Sequence, residues 1–522
     1  MATFRYGIDR LTPGLALDIC RGKIKGELTA EISGRIQKNR AEVEMIVAEK
    51  RTVYGINTGF GPLCTTLISD EDTRRLQHNL LLSHAVGVGE LISEEISRMM
   101  LVLKVHSLAM GYSGISVETL KRILWHIENH ITPCVPSQGS VGASGDLAPL
   151  AHLFLPLIGY GTVFYKGKIM PAAELLSSLG MGPLEPGPKE GLALINGTQF
   201  IAAHGVIFLE RFQHCLDQAD IIAAMNLEAM LGSVKAFDPD LHALRPYEGT
   251  CYVAERLRML THNSEIVESH RNCHRVQDPY SLRCIPQVHG ASRNAYLHLK
   301  QLLTIELNSV TDNPIIFSRD KALSGGNFHG QPLALPLDYA ALATAELGNI
   351  SDRRIYLSLM DTIEGLPKLL MRETGLNSGF MIPQYTTAAL VSENKSLCFP
   401  ASADSIPTSL GQEDHVSMGS ISARKAIQIA GNLEKILGIE LFCAAQGFDF
   451  RKPLKSSPLI DACHDHIRKV IPHIDRDVYL GDYINSAIQI VSRHELTDLT
   501  DGLSDTLQLA FKNRNHELFG IY

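Results

Sequence analysis

The chain has 522 residues, which is long enough for a large buried core and for more than one structural lobe. Its formal net charge of −8 at pH 7 argues against a nucleic-acid-binding surface and against binding to anionic membranes. Ten cysteines are scattered without the paired spacing of a zinc or redox motif, so we expect reduced thiols and a cytoplasmic protein.

The N-terminal segment is predicted to be helical and interrupted by glycines. Thr12 precedes Pro13 and is predicted to cap one helix, and Thr29 is predicted to cap the next. Residues 52–61 contain three glycines, a pattern that forbids a regular helix. This segment therefore predicts a loop that presents side chains, among them Tyr54.

The most informative stretch is Ala143-Ser144-Gly145, because these residue types allow the backbone to cyclise. The Gly145 nitrogen would attack the Ala143 carbonyl and two waters would leave, one of them with the Ser144 hydroxyl, giving an imidazolone with an exocyclic methylidene. Gly145 has no Cβ, so the chain can fold back tightly there. Taken alone, the tripeptide is better explained as an ordinary Gly/Ser-rich loop.

The remaining chain predicts a mainly α fold, with a central bundle of long helices and an N-terminal lobe that carries the Ala-Ser-Gly loop. A short hairpin is predicted at residues 164–169, among few β signals. Long apolar periodicities that require burial in a bundle follow at residues 202–234, 291–310, 337–359 and 421–445. We place the lobe at residues 1–200 and the bundle, with a C-terminal helical extension, at residues 201–522.

One adjacent group of metal-ligand residue types stands near the C-terminus, at Cys463, His464, Asp465 and His466. Neighbouring residues on a helix point in different directions and seldom converge on one ion. We therefore expect these four to be surface residues and predict no metal site.

Several separated segments together resemble the aromatic amino acid ammonia-lyase family, most closely its histidine-specific branch. The matching segments run from Val53 to Lys425, so the resemblance covers essentially the whole chain. It implies that 4-methylidene-imidazol-5-one (MIO) forms autocatalytically from Ala143, Ser144 and Gly145. Neither pyridoxal phosphate nor a metal would then be required.

The resemblance also implies roles for individual residues. Tyr54 matches the family's base for the substrate Cβ proton, although its ordinary pKa of about 10 would need a pocket that favours phenolate. Arg283 has the planar fork that suits the substrate α-carboxylate. Gln277 and Tyr280, in the same motif, match residues that hold the electrophile and the substrate. Considered one at a time, each of these residues also fits ordinary loop packing.

Two further positions match residues beside the prosthetic ring. Asn196, in Ile195-Asn196-Gly197, matches an asparagine that can donate a hydrogen bond to a carboxylate or to the ring oxygen. Phe328 matches an aromatic residue packed on the ring. A turn asparagine and a core phenylalanine are the ordinary alternatives.

The substrate is indicated by His84 and Glu413. A neutral imidazole can exchange a hydrogen bond with the substrate ring, and a carboxylate can pair with a ring N–H. A buried carboxylate opposite a hydrocarbon or phenol ring would cost several kcal/mol of desolvation. The resemblance therefore implies elimination of ammonia from L-histidine to give trans-urocanate, the first step of histidine degradation. Whether Glu413 also moves protons stays open.

Four positions depart from the usual histidine-specific pattern, and they keep an alternative open. Gln331 stands where glutamate is common, Ile285 where glutamine is common, and Leu410-Gly411 where Ala-Asn is common. Gln331 is also associated with aminomutases, so a tyrosine or phenylalanine ammonia-lyase or aminomutase is the alternative within the family. A catalytically inactive helical scaffold is the alternative from another class. The resemblance further implies a homotetramer in which each site takes residues from three chains.

Overall fold

The computed structural model of the protein describes residues 3–59, 68–271, 275–507 and 511–522. The last two positions of the predicted loop at residues 52–61 lie outside these ranges. Within the described ranges the fold is mainly α, as the sequence predicts.

The α-helices follow one another along the chain and vary from four to 31 residues in length. They are α1 (Pro13–Cys20), α2 (Ala30–Ala48), α3 (Asp70–His84), α4 (Glu94–Ala109), α5 (Val117–Glu128), α6 (Leu147–Phe154), α7 (Ala172–Ser178), α8 (Glu190–Ile195), α9 (Gln199–Ala229), α10 (Pro239–Ala243), α11 (Glu248–Leu260), α12 (Glu265–Ser269), α13 (Tyr280–Arg283), α14 (Ile285–Leu307), α15 (Gln331–Ser358), α16 (Met381–Leu397), α17 (Gly419–Asp449), α18 (Pro458–Arg468), α19 (Gly481–Ser492), α20 (Glu495–Thr506) and α21 (Phe511–Phe519).

The strands are short and form small sheets beside the helices. They are β1 (Thr3–Arg5), β2 (Lys25–Glu27), β3 (Val88–Leu91), β4 (Thr132–Pro133), β5 (Pro136–Gln138), β6 (Thr162–Tyr165), β7 (Lys168–Pro171), β8 (Ile315–Ser318) and β9 (Lys321–Leu323). Strands β1 and β2 are parallel, and the pairs β3–β5, β4–β6, β6–β7 and β8–β9 are antiparallel. The β6–β7 pair confirms the hairpin predicted at residues 164–169.

Helix starts follow the local capping chemistry read from the sequence. The Thr12 hydroxyl accepts the backbone N–H of Leu15, and the Thr29 hydroxyl accepts that of Ile32. Both predicted caps are therefore confirmed. Each hydroxyl satisfies a backbone donor that the first helical turn leaves without a partner.

The centre of the molecule is a bundle in which α17 packs on α9 and α15, and α14 packs on α11 and α15. Buried ion pairs lie inside it, among them two that join long helices. Arg293 of α14 donates to Asp220 of α9 at 2.6 Å, and Arg354 of α15 donates to Glu440 of α17 at 2.5 Å. Removing one partner of such a pair would leave a buried charge unpaired, which is strongly destabilising. All four predicted long helices are present in this bundle.

The C-terminal end of α9 differs from the sequence-based prediction. We expected an apolar helix over residues 202–234, but α9 ends at Ala229. Leu231 has a φ of +51°, and the N–H of Gly232 donates to the carbonyl of Leu227 at 2.8 Å. This left-handed C-terminal motif ends the helix even though apolar residues continue beyond it.

The expectation for Cys463, His464, Asp465 and His466 is partly wrong. They lie on α18 as neighbours, but Cys463 and His464 are buried rather than on the surface. His464 contacts the carboxylate of Asp449 at 3.0 Å. The apolar face of α18 packs inward, and Cys463 and His464 are among its buried residues.

Some properties concern the whole described chain. Within the described ranges, no helix is both long enough and apolar enough to cross a lipid bilayer. The cysteines placed there are free thiols, eight in all. The main hydrophobic cluster contains residues from Phe4 to Ile521, so both predicted segments contribute to one core. The division at residue 200 stays a prediction.

Candidate active site

The Ala143–Gly145 segment is a tight turn that only glycine can complete. Gly145 has a φ of +80°, and a Cβ added to it would lie 2.1 Å from the carbonyl oxygen of Gly197. The N–H of Asp146 donates to that same oxygen at 2.7 Å, and the N–H of Gly197 faces the Ser144 carbonyl at 3.4 Å. The turn is therefore fixed against the segment that joins α8 to α9.

Asp146 ties this turn to the first turn of α9. Its buried carboxylate accepts the backbone N–H groups of Phe200 and Ile201, both at 3.0 Å, and the hydroxyl of Ser140 at 3.2 Å. The unpaired N–H groups at a helix start favour a carboxylate. Burial nevertheless raises the pKa of Asp146 to about 7, because the desolvation penalty exceeds the effect of these hydrogen bonds.

A cavity of ≈ 430 Å³ opens over the turn. Five of the residues predicted from the sequence line it, namely Tyr54, Ala143, Ser144, Phe328 and Glu413. They come from four separate segments of the chain. Their convergence on one cavity is the main geometric finding at the site.

Tyr54 is held by the hydrogen bonds of the glycine-rich loop around it. The side chain of Asn57 accepts the N–H of Val53 at 3.0 Å and donates to the carbonyl of Arg51 at 2.7 Å. Gly55 has a φ of +74°, and a Cβ there would lie 2.4 Å from a neighbouring leucine side chain. The loop therefore presents the half-buried Tyr54 to the cavity from a fixed backbone.

Glu413 faces the same cavity and is oriented by two hydroxyls. Thr408 Oγ1 donates to its Oε2 at 2.8 Å, and Ser409 Oγ donates at 2.5 Å. The turn between them is unusual because Ser409 and Leu410 both have positive φ values, of 50° and 57°. The two hydroxyls fix the direction in which the carboxylate points.

His84 ends α3 close to Glu413. Its pKa is lowered from the ordinary value, chiefly because the ring is partly buried, although the negative charge of Glu413 acts in the opposite direction. Its Nδ1 lies 3.0 Å from the hydroxyl of Ser83. A neutral imidazole beside an oriented carboxylate can exchange hydrogen bonds with a polar ring.

Asn196 lies beneath the turn, at the end of α8. It is buried, and among the described residues its side-chain Oδ1 has no hydrogen-bond partner. An unsatisfied buried amide oxygen is costly, so a polar partner is expected beside it.

The structure does not bring Gln277, Tyr280 and Arg283 to this cavity. Gln277 and Arg283 instead line a second cavity of ≈ 870 Å³. The Arg283 guanidinium stacks over the Tyr280 ring at 4.5 Å and donates to Gln277 Oε1 at 2.9 Å. Tyr280 is 71% exposed. Within one chain, these three residues form a separate group that faces outward.

Several lining residues were missed by the sequence-based prediction. They are Thr52, Thr58, Asn313, Ser324, Gly325 and Gln412. Asn313 Oδ1 accepts the N–H of Gly325 at 2.7 Å and the hydroxyl of Ser324 at 3.2 Å, which holds the loop before Phe328. Asn-Pro at 313–314 was a visible turn signal, but its proximity to Tyr54 could not be read from the sequence.

Gln331 is the departure that kept an alternative reaction open. It begins α15 directly after the Phe328 loop, and its Nε2 donates to the carbonyl of Ser402 at 2.8 Å. Its Oε1 is buried and has no partner among the described residues. Gln331 does not line the cavity that holds Tyr54.

Comparison with known proteins gives a consistent result. Residues 11–469 match the family described as aromatic amino acid lyase. Histidine ammonia-lyase of Natranaerobius thermophilus is 47% identical over 467 residues, which are 89% of this chain and 92% of that protein. The crystal structure of histidine ammonia-lyase from Trypanosoma cruzi has a TM-score of 0.90 and 40% identity, and the match covers 99% of this chain and 98% of that one. The structure of tyrosine aminomutase from Streptomyces globisporus has the same TM-score at 34% identity, over 95% of this chain and 98% of that one.

Proposed function

We propose that this chain, which belongs to the aromatic amino acid lyase family, is the carbon–nitrogen lyase that converts L-histidine to trans-urocanate and ammonia. Relatives that carry the name histidine ammonia-lyase match it over about nine-tenths of its length. The expected location is the cytoplasm. The observation that carries the proposal is the convergence of Tyr54, Ser144 and Glu413 on one cavity.

The residues of the Ala143–Gly145 turn fit the MIO group that is proposed to form from them. The turn requires glycine at position 145, and the orphaned Oδ1 of Asn196 lies directly beside the segment that fixes the turn. The family and its solved members are consistent with a group of this type. Once formed, the group would supply an electrophile that captures the substrate amine and makes it a leaving group.

Tyr54 is proposed to remove the proton from the substrate Cβ. That carbon is hardly acidic, so the base must be held close to it and must be in its phenolate form. The glycine-rich loop supplies the fixed position, and Tyr54 and Ser144 line the same cavity. Phe328 forms another part of the cavity wall.

His84 and Glu413 are proposed to bind the imidazole ring of the substrate. The Glu413 carboxylate is already oriented by Thr408 and Ser409, so it can accept a ring N–H at little entropic cost. Leaving this carboxylate opposite a phenyl ring would desolvate it without compensation. The pair therefore favours histidine over phenylalanine and tyrosine.

The Glu413→Gln variant tests this specificity. We expect kcat/KM for L-histidine to fall about 10- to 100-fold, because a hydrogen bond to a charged group is replaced by a neutral one. Activity with L-tyrosine and L-phenylalanine should not fall, since neither ring pairs with the carboxylate. Urocanate, coumarate, cinnamate and the corresponding β-amino acids would be measured with all three substrates.

The matched control for Glu413→Gln is Asp414→Asn, which changes the exposed neighbouring carboxylate. This control should leave kcat/KM within about twofold of the unmodified enzyme, as surface changes usually do. Equal losses for all three amino acids in Glu413→Gln would contradict its role in specificity. A β-amino acid as the main product would favour the aminomutase alternative that Gln331 kept open.

Arg283, with Gln277 and Tyr280, is proposed to act in the site of a neighbouring subunit of a homotetramer. Its guanidinium is a bidentate carboxylate ligand, yet in one chain it is remote from the Ser144 cavity. A site that is completed by another chain resolves this separation. Tyr280 is exposed in one chain, so its side chain is accessible to such a neighbour.

Subunit mixing tests this sharing. Tyr54→Phe and Arg283→Met homotetramers should each be nearly inactive. If every site draws the two residues from different chains, an equal mixture refolded together should regain about a quarter of the normal activity, because both residues are intact in that share of sites. A mixture that stays as inactive as its components would show that Tyr54 and Arg283 act from the same chain.

A further inference from the structure

A lysine is buried beneath the active-site turn. Lys104 lies on α4, between apolar residues that run from Met99 to Val105, and its side chain is only 1% exposed. An amine in such a place is costly unless its hydrogen bonds are satisfied by fixed partners. The hydrogen-bond partners of Lys104 therefore indicate its role.

The amine of Lys104 is directed at the backbone of the site. Its Nζ donates to the main-chain carbonyl of Asn196 and lies 3.5 Å from Oε1 of Gln199. Burial lowers the pKa of Lys104 to about 7, with Asp312 and Asp146 opposing this shift and Lys189 adding to it. The amine carries N–H donors in both of its protonation states, so the bond to Asn196 persists across neutral pH.

One peptide unit connects this lysine to Ser144. The carbonyl of Asn196 accepts from Lys104, and the N–H of the same peptide, on Gly197, faces the Ser144 carbonyl at 3.4 Å. Hydrogen bonds in a chain polarise one another, so a donor on the carbonyl makes the N–H of that peptide a better donor. The three groups lie in a buried environment, where such effects are strongest.

We propose that Lys104 is a positioning residue that acts through the Asn196–Gly197 peptide to withdraw electron density from the Ser144 carbonyl. This inference rests on the proposed function, in which Ser144 becomes part of the electrophile. A hydrogen bond on the Ser144 carbonyl oxygen makes the atoms conjugated with it more electrophilic. Lys104 also holds the main chain of Asn196, the residue directly before Gly197, in place.

The test compares Lys104→Met with Lys104→Arg. Methionine fills a similar volume without a donor, whereas arginine keeps N–H donors. For Lys104→Met we expect the second-order rate of inactivation by cyanide, which reports the electrophile directly, to fall roughly tenfold together with kcat, at a nearly unchanged KM. Lys104→Arg should recover most of both rates.

The matched control is Met100→Ala, which opens a cavity beside the same helix. It leaves the hydrogen bonds from Lys104 through the Asn196–Gly197 peptide to Ser144 unchanged. It should lower the melting temperature while leaving the cyanide rate close to normal. Should Lys104→Met fail to give folded tetramer, Lys104→Gln replaces it and should show a smaller fall in the same two rates. A normal cyanide rate in the folded Lys104 variant, or a fall no larger than in Met100→Ala, would overturn the proposal.

The result also separates this inference from the proposed function. The intact mass of each protein reports whether two waters have been lost. If the unmodified protein is fully active without that loss, the proposed function itself is overturned. If both the unmodified protein and Lys104→Met have lost two waters and react equally fast with cyanide, only the role of Lys104 is overturned.

Discussion

A Ser144→Ala variant should fold and assemble normally and yet lose ammonia release from L-histidine by roughly 10⁴-fold or more, as removal of a covalent catalyst does in other enzymes. The reason is chemical, because alanine has no hydroxyl to leave and the methylidene carbon cannot form. The side chain is half-buried at the edge of the cavity, so the change leaves no large void. Urocanate absorbance and the thermal unfolding midpoint would be measured on the same preparation.

The control for Ser144→Ala is Ser324→Ala, which makes the same chemical change in the same cavity. Among the described residues Ser324 donates to Asn313, and Gly325 donates to the same oxygen, so loss of the hydroxyl should reduce activity by no more than a few-fold. Comparable activity in the Ser144 variant and the unmodified enzyme would remove the proposed electrophile. A loss in both variants to the same extent would show only that the cavity wall is sensitive.

The second large effect is expected for Tyr54→Phe. Removing a general base costs about 10²- to 10⁴-fold, and here the loss should fall on kcat with little change in KM, because the phenol is not proposed to bind the substrate. The ring and its packing are retained, so the loop should keep its conformation. Steady-state kinetics with L-histidine and Cβ-deuterated L-histidine would locate the loss in the proton-removal step.

Tyr160→Phe is the control, since Tyr160 is an exposed tyrosine outside the cavity. It should behave as the unmodified enzyme. The Tyr54 variant should also retain the loss of two waters at Ala143–Gly145, because Tyr54 is not proposed to take part in ring formation. A rise in KM at constant kcat would argue that Tyr54 is a binding residue rather than the base.

The mainly α fold and its long helices could be predicted because their signals are local. Apolar residues at helical spacing marked α9, α14, α15 and α17, and hydroxyl residues marked the starts of α1 and α2. The end of α9 was misplaced because apolar residues continue past Leu231, whose left-handed conformation stops the helix. Backbone conformation at one residue outweighed the hydrophobic pattern there.

Sequence motifs predicted which residues belong to the candidate site, whereas only the structure gives the distances between them. Motif resemblance selected Tyr54, Ser144, Phe328 and Glu413, and the structure places all four around one cavity. Asn313 was missed because the Asn-Pro pair indicates only a turn and does not indicate a contact with the site. Its position depends on packing between segments far apart in the chain.

Two other features, at Lys104 and Arg283, could not be predicted from the sequence. The burial of Lys104 and its contact with Asn196 depend on how α4 packs beneath the α8–α9 connection. Arg283 lines a different cavity from Ser144, and this placement depends on how the whole chain packs. Local sequence patterns predict neither the packing around Lys104 nor the placement of Arg283.

Cyclisation at Ala143–Gly145 is tested most directly by the mass of the peptide that contains these residues, measured after proteolysis of fully active protein. We expect this peptide to be lighter than its sequence by two waters, and the Ser144→Ala peptide to have its full calculated mass. A full-mass peptide from enzyme that releases ammonia at the normal rate would contradict the claim that these residues form the electrophile.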